Sequence, residues 1–166
     1  TAIVEACKER GMALASHDDA TVEHVEESKA FGVRLAEFPT SLEAARASHE
    51  AGMAVLMGAP NVVRGKSHSG NISARSLADD GVLDVLSSDY VPLSLIHAPF
   101  VLAADESGIA LPDAIRMVSA TPARAVGLDD RGRIASGLRA DLVRVRSRGD
   151  KSVPVVRSVW REGRRV

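Results

Sequence analysis

The chain is poor in sulfur and in rings, with one cysteine, one tryptophan, one tyrosine and three phenylalanines among 166 residues. A lone Cys7 closes no internal disulfide, which excludes a disulfide-stapled scaffold and points to a reducing, cytoplasmic compartment. Its place in an apolar helical stretch predicts a buried position. So few aromatics leave no stacking platform for bases. A formal net charge of -1, from 21 Lys and Arg against 22 Asp and Glu, gives no global attraction to nucleic acid or to an anionic membrane. The arginine-rich stretch 124–165 is read as solvated strand faces for the same reason. No apolar run approaches the roughly 18 residues of a membrane span, and no basic leader precedes an apolar one. Neither nucleic acid nor membrane is therefore an expected partner.

What is present is ordinary globular material, 45% hydrophobic and 26% charged. Residues 2–10 have helical spacing, and the chain opens in the middle of that helix, which suggests a fragment or a processed product. Short apolar runs at Met12 to Ala15, Val33 to Ala36, Met53 to Met57 and Val82 to Leu86 predict four strands. Helices are predicted over Thr21 to Ala30, from Ser41 to Gly52, over Ile72 to Asp79, Pro92 to Glu106 and Leu111 to Ala125. Strands that are short, apolar and non-alternating, separated by helices, imply a parallel sheet covered by helices. Both a doubly wound sheet and half of a (β/α)₈ barrel satisfy the pattern. After Gly127 the helical spacing ends, and Leu142 to Val145 and Val153 to Val159 predict a small β module. A division into residues 1–127 and 128–166 is expected.

In such folds the loops beyond the carboxyl ends of the strands carry the chemistry. His17 follows the first run, where an imidazole suits a divalent metal, although Asp18 and Asp19 beside it could equally cap the next helix. Glu37 follows the second run, as a metal ligand, a base or a member of the Phe38-Pro39-Thr40 turn. Gly58 to Asn71 reads as a loop dense in donors. Arg64 offers a planar fork and Lys66 a point charge for phosphate oxygens, with Asn61 and His68 alongside. Pro60 occupies the position where a Walker loop needs its first glycine. Asp89 follows the fourth run, where it could ligate a metal and deprotonate a water, or cap the helix after Pro92. His24, His49 and His97 fall within predicted helices and are read as structural.

Four segments, Ser-His-Asp-Asp-Ala-Thr, Ala-Glu-Phe-Pro-Thr, Gly-Ala-Pro-Asn-Val-Val-Arg-Gly-Lys-Ser-His-Ser-Gly-Asn and Ser-Ser-Asp-Tyr-Val-Pro, together resemble the PhnM family of the carbon-phosphorus lyase pathway, within the amidohydrolase superfamily. The run from Gly132 to Val143 is similar to the segment with which amidohydrolases leave the barrel for a small β domain. The resemblance implies an α/β fold, the C-terminal half of a (β/α)₈ amidohydrolase-type barrel followed by a small β module. It implies hydrolysis of α-D-ribose 1-methylphosphonate 5-triphosphate to the 5-phosphate and pyrophosphate. His17 and Asp89 would be ligands to a divalent metal, zinc or manganese, with Asp89 also catalytic. Glu37 stands where the superfamily often has histidine, and is carried as a third metal ligand. The superfamily's first-strand His-x-His motif is not found in this sequence. The expectation is therefore an incomplete metal site, with a second copy or a complementing N-terminal half as partner. Cyclic amide hydrolysis, deamination, or a non-catalytic self-associating module are the alternatives.

Overall fold

The computed structural model describes residues 2–65, 70–104, 108–150 and 152–166. Helix α1 (Ala2–Glu9) leads into strand β1 (Ala15–His17), and three further strands follow: β2 (Leu35–Glu37), β3 (Ala54–Gly58) and β4 (Val85–Ser87). Helix α2 (Val22–Phe31) links β1 to β2 and α3 (Leu42–Glu50) links β2 to β3, while α4 (Ala59–Arg64) and α5 (Ala74–Asp79) lie between β3 and β4. All three pairings are parallel, in the order β1-β2-β3-β4. Strand after helix after strand leaves parallel pairing as the outcome, because each helix carries the chain back to the starting end of the sheet.

Helix ends are set by local chemistry. Thr21 and Ser41 accept hydrogen bonds from the amides of His24 and Ala44, filling free donors at the starts of α2 and α3. Gly32 ends α2 in the left-handed region at φ 78°, where its amide returns to the carbonyls of Ser28 and Lys29.

The register puts Ala36, Val55, Met57 and Leu86 on one face of the sheet, and Ala15, His17, Glu37, Leu56 and Ser87 on the other. The first face is sealed: Ala36, Val55, Met57 and Leu86 are buried, the last three in a core with Leu77, Ala98 and Leu102. Each fully buried leucine there is worth about 1.5–3 kcal/mol of transfer free energy. On the second face Ala15 and His17 are exposed and Glu37, Leu56 and Ser87 half-buried, while Leu35, Gly58 and Val85 are buried.

Helices α6 (Ser94–Ala103), α7 (Leu111–Arg116) and α8 (Ala120–Ala125) complete this part. Beyond them β5 (Leu142–Arg146), β6 (Val155–Arg161) and β7 (Arg164–Arg165) form an antiparallel sheet with an irregularity at Arg144/Val145.

Several expected boundaries move. The strands begin one to three residues late and end one or two late, because pairing extends over the polar strand ends: the Asp18 amide donates to the Glu37 carbonyl at 3.0 Å and the Phe38 amide to that of Leu56 at 2.9 Å. His17 and Glu37 are thus the last residues of their strands. The expected single helix over Leu111 to Ala125 is two helices. Pro122 has no amide to offer the Val118 carbonyl and its ring crowds that position, so the break falls one turn earlier. The Met117 carbonyl instead accepts from the Leu86 amide at 2.9 Å, on the outer edge of β4. Within the expected loop, residues 59–64 are the helix α4, with Pro60 in its first turn and Gly65 in the left-handed region at its end. Cys7 is half-buried, because α1 buries no residue completely.

Candidate active site at the strand ends

Among the described residues, three of the four non-glycine residues with positive φ lie just beyond strand carboxyl ends: Asp18 at 59°, Phe38 at 55° and Asp89 at 46°. For an L residue this conformation costs roughly 1–2 kcal/mol, and it persists where the surrounding fold over-determines it. Here the ladder supplies that constraint at two of the three, since the amides of Asp18 and Phe38 are both held by the neighbouring strand.

The turns place their side chains usefully. Asp18 comes within 3.3 Å of His17 Nδ1, and the Phe38 ring stands edge-on to the imidazole, centroids 5.5 Å apart at 82°. With Nδ1 engaged by a carboxylate, Nε2 is left with its lone pair available to a metal ion. The capping alternative for Asp18 and Asp19 does not hold: Thr21 caps α2, while buried Asp19 accepts from Ser28 Oγ at 3.4 Å. Likewise α6 begins at Leu93 without a side-chain cap, so Asp89 does not serve there. Among the described residues the carboxylates of Glu37 and Asp89 make no hydrogen bond or ion pair. Half-buried Glu37 therefore does not brace its own turn.

At β3 and β4, Gly58 pairs in register with Ser87. The Ser87 hydroxyl is buried and has no hydrogen-bond partner among the described residues. Asp89, turned back by its positive φ, lays its carboxylate against Gly58: a Cβ on that glycine would stand 2.9 Å from Asp89 Oδ2. The sequence offers Gly58 only as a loop glycine that permits close approach of a ligand and does not suggest Ser87 at all, since only the cross-strand register brings both beside Asp89.

Arg64, at the end of α4, donates through Nη1 to the Tyr90 hydroxyl at 2.6 Å. That pairing links the β3 and β4 connections, and its only sequence signal is that Tyr90 follows Asp89. Asn61 Oδ1 accepts from the Ala74 amide at 3.0 Å and so fastens α4 to the start of α5. Lys66 and His68 lie outside the described residues. His24 Nδ1 accepts from the Ala20 amide, and His49 Nδ1 lies 3.1 Å from Asp84 Oδ2, which also accepts from the Val55 amide; His97 is half-buried on α6. None of the three stands at a strand carboxyl end.

The donor chemistry at these ends, one imidazole with two carboxylates and a buried hydroxyl that have no partner among the described residues, suits a divalent cation. Among the described residues, however, no three His, Cys, Asp or Glu side chains gather closely enough to hold a metal ion.

Four parallel strands with helices on one face, polar strand ends and an appended antiparallel sheet define a partial (β/α) barrel of the hydrolase kind. The chain belongs to the amidohydrolase family, whose sequence profile matches residues 1–166. Over 165 residues, 99% of the chain, it is 54% identical to the alpha-D-ribose 1-methylphosphonate 5-triphosphate diphosphatase of Escherichia coli (strain K12), covering 43% of that protein. It is 39% identical over 103 residues, 56% of the chain, to the imidazolonepropionase of Streptomyces griseus subsp. griseus, covering 26% of it. The chain thus spans less than half the length of either relative. Among solved structures it matches enamidase, of the amidohydrolase superfamily, with a TM-score of 0.74 at 19% identity, over 98% of this chain and 49% of that one. An amidohydrolase from Thermotoga maritima MSB8 matches with a TM-score of 0.68 at 25% identity, over 93% of this chain and 43% of that one.

Proposed function

We propose that the protein carrying this chain hydrolyses α-D-ribose 1-methylphosphonate 5-triphosphate to the 5-phosphate and pyrophosphate in phosphonate breakdown. The observation that carries the reading is 54% identity, over 99% of the chain, to a diphosphatase of that name. His17 through Nε2, Glu37 and Asp89 would contribute to a site for a divalent ion, zinc or manganese, that is completed by donors beyond this set, since the three do not by themselves gather closely enough to hold one. When bound, such an ion lowers the pKa of water and offsets phosphate charge. Asp89 takes the proton from the attacking water as its oxygen bonds to phosphorus. The phosphorus–oxygen bond to the leaving pyrophosphate then breaks. Arg64, held by Tyr90, offers a fork to the phosphate oxygens, with Lys66, His68 and the side-chain amide of Asn61 as further donors. The division near residue 127 fits a barrel portion and the strands of an appended β domain. Cytoplasmic placement fits a phosphorylated substrate and a single cysteine.

The Streptomyces griseus relative favours a second reading, a reaction of the imidazolonepropionase kind. The intact enzyme, supplied with the triphosphate substrate and a divalent metal, is expected to release one pyrophosphate per 5-phosphate formed. Turnover of imidazolonepropionate without any pyrophosphate release from the triphosphate would overturn the proposal in favour of the second reading.

A further inference from the structure

We infer that Gly58 is a positioning residue whose missing side chain is the space in which the Asp89 carboxylate sits. The inference rests on the role given to Asp89 above. Gly58 has φ -71° and ψ 128°, a conformation open to any residue, so backbone freedom does not account for a glycine here. What a side chain would meet is specific. An added Cβ would stand 2.9 Å from Asp89 Oδ2, 3.3 Å from its Cβ and 3.5 Å from its Cγ. All three are atoms of one side chain, and the closest is its tip, so the strain of a methyl group is relieved by turning Asp89 rather than by moving the sheet.

The geometry explains why the space must exist. Gly58 ends β3 opposite Ser87, and Asp89 follows two residues later in a left-handed turn that directs it back over β3. Gly58 is itself buried, so the methyl group cannot escape into solvent. A carboxylate displaced by an ångström no longer meets the water it deprotonates, and displacements of that size cost about 10²-fold in rate.

The test uses the intact enzyme. Gly58→Ala is expected to lower kcat by about 10²-fold with KM within about twofold of wild type, as for a loss felt only in the transition state. A readout independent of activity is the melting temperature in a double-mutant cycle. The small loss caused by Gly58→Ala should shrink once Asp89→Ala removes the carboxylate it strikes, whereas a general packing role would leave the loss unchanged. Unaltered kcat in Gly58→Ala, or a variant that fails to fold in both backgrounds, overturns the inference. If Asp89→Asn keeps full activity the catalytic role of Asp89 falls, yet coupled melting temperatures would still report the steric contact.

Discussion

At the scale of the residue, the site depends on side chains left with unspent bonding capacity. Glu37 and Asp89 end or follow strands without protein partners, whereas Asp84 spends its carboxylate on His49 and the Val55 amide and Asp80 spends its own on Arg46. Arg64 illustrates the pairing of anchor and tool, one nitrogen donating to Tyr90 while a planar fork presents several donors at once. Hydrogen bonds to charged groups are worth about 1.5–3 kcal/mol, so Arg64→Ala should lower kcat/KM for the triphosphate substrate by roughly 10- to 100-fold. Tyr90→Phe, which keeps the ring and removes the acceptor, should cost about tenfold or less. Steady-state kinetics with pyrophosphate detection measures both, and an unchanged Arg64→Ala enzyme would remove the phosphate clamp. His17, Glu37, Arg64 and Asp89 are all legible in the sequence as polar groups just after apolar runs. Ser87 is not, and Gly58 is legible only as a loop glycine that lets a ligand approach, because the space it leaves for Asp89 comes from the two standing opposite each other across a strand pair.

At the scale of the element, ties between helices carry a pH signature. The Arg46 guanidinium on α3 donates to the Asp80 carboxylate at the end of α5 and holds its pKa below the ordinary carboxylate range. A carboxylate whose pKa is lowered in the folded state contributes stability that is fully present above its unfolded pKa, about 4, and lost as pH falls through the folded value. Both groups face solvent, so the contribution is small and screened by salt. Arg46→Ala should therefore melt below wild type at pH 7, with the gap closing as pH drops below about 4 or as salt rises. A gap that persists at low pH would assign the effect to packing of the arginine stem. The four strands and the helices α2, α3 and α5 between them were legible because apolar runs and glycine stops alternate along the chain. Helix α4 was not, since its six residues begin at a buried Ala59-Pro60 pair and are too few to show a period. Nor was the break before α8, which needed a clash between Pro122 and a carbonyl four residues back.

At the scale of the whole molecule, the exposed surface is 9771 Å² for 17.5 kDa. A compact monomer of that mass exposes about 7,900 Å², so roughly 1,900 Å² more is open than such a monomer leaves. The outer edge of β1 and the face bearing Ala15, His17 and Leu56 belong to that surface, and unpaired strand edges invite association. Taken alone, the chain is expected to run on size-exclusion chromatography with light scattering as multiples of 17.5 kDa. Dialysis against zinc or manganese should leave it with less than one tightly bound ion per chain. Stoichiometric binding would show that donors within these 166 residues suffice. By itself the sequence determined the alternation of strand and helix, the polar character of the strand ends and the switch to antiparallel strands after Gly127, since all three are written in local periodicity and turn chemistry. Only the tertiary structure decided which face of the sheet is sealed, how Asp89 turns back over Gly58 and which carboxylates keep their bonding capacity. Those outcomes depend on register between strands far apart in the chain, and no local pattern encodes them.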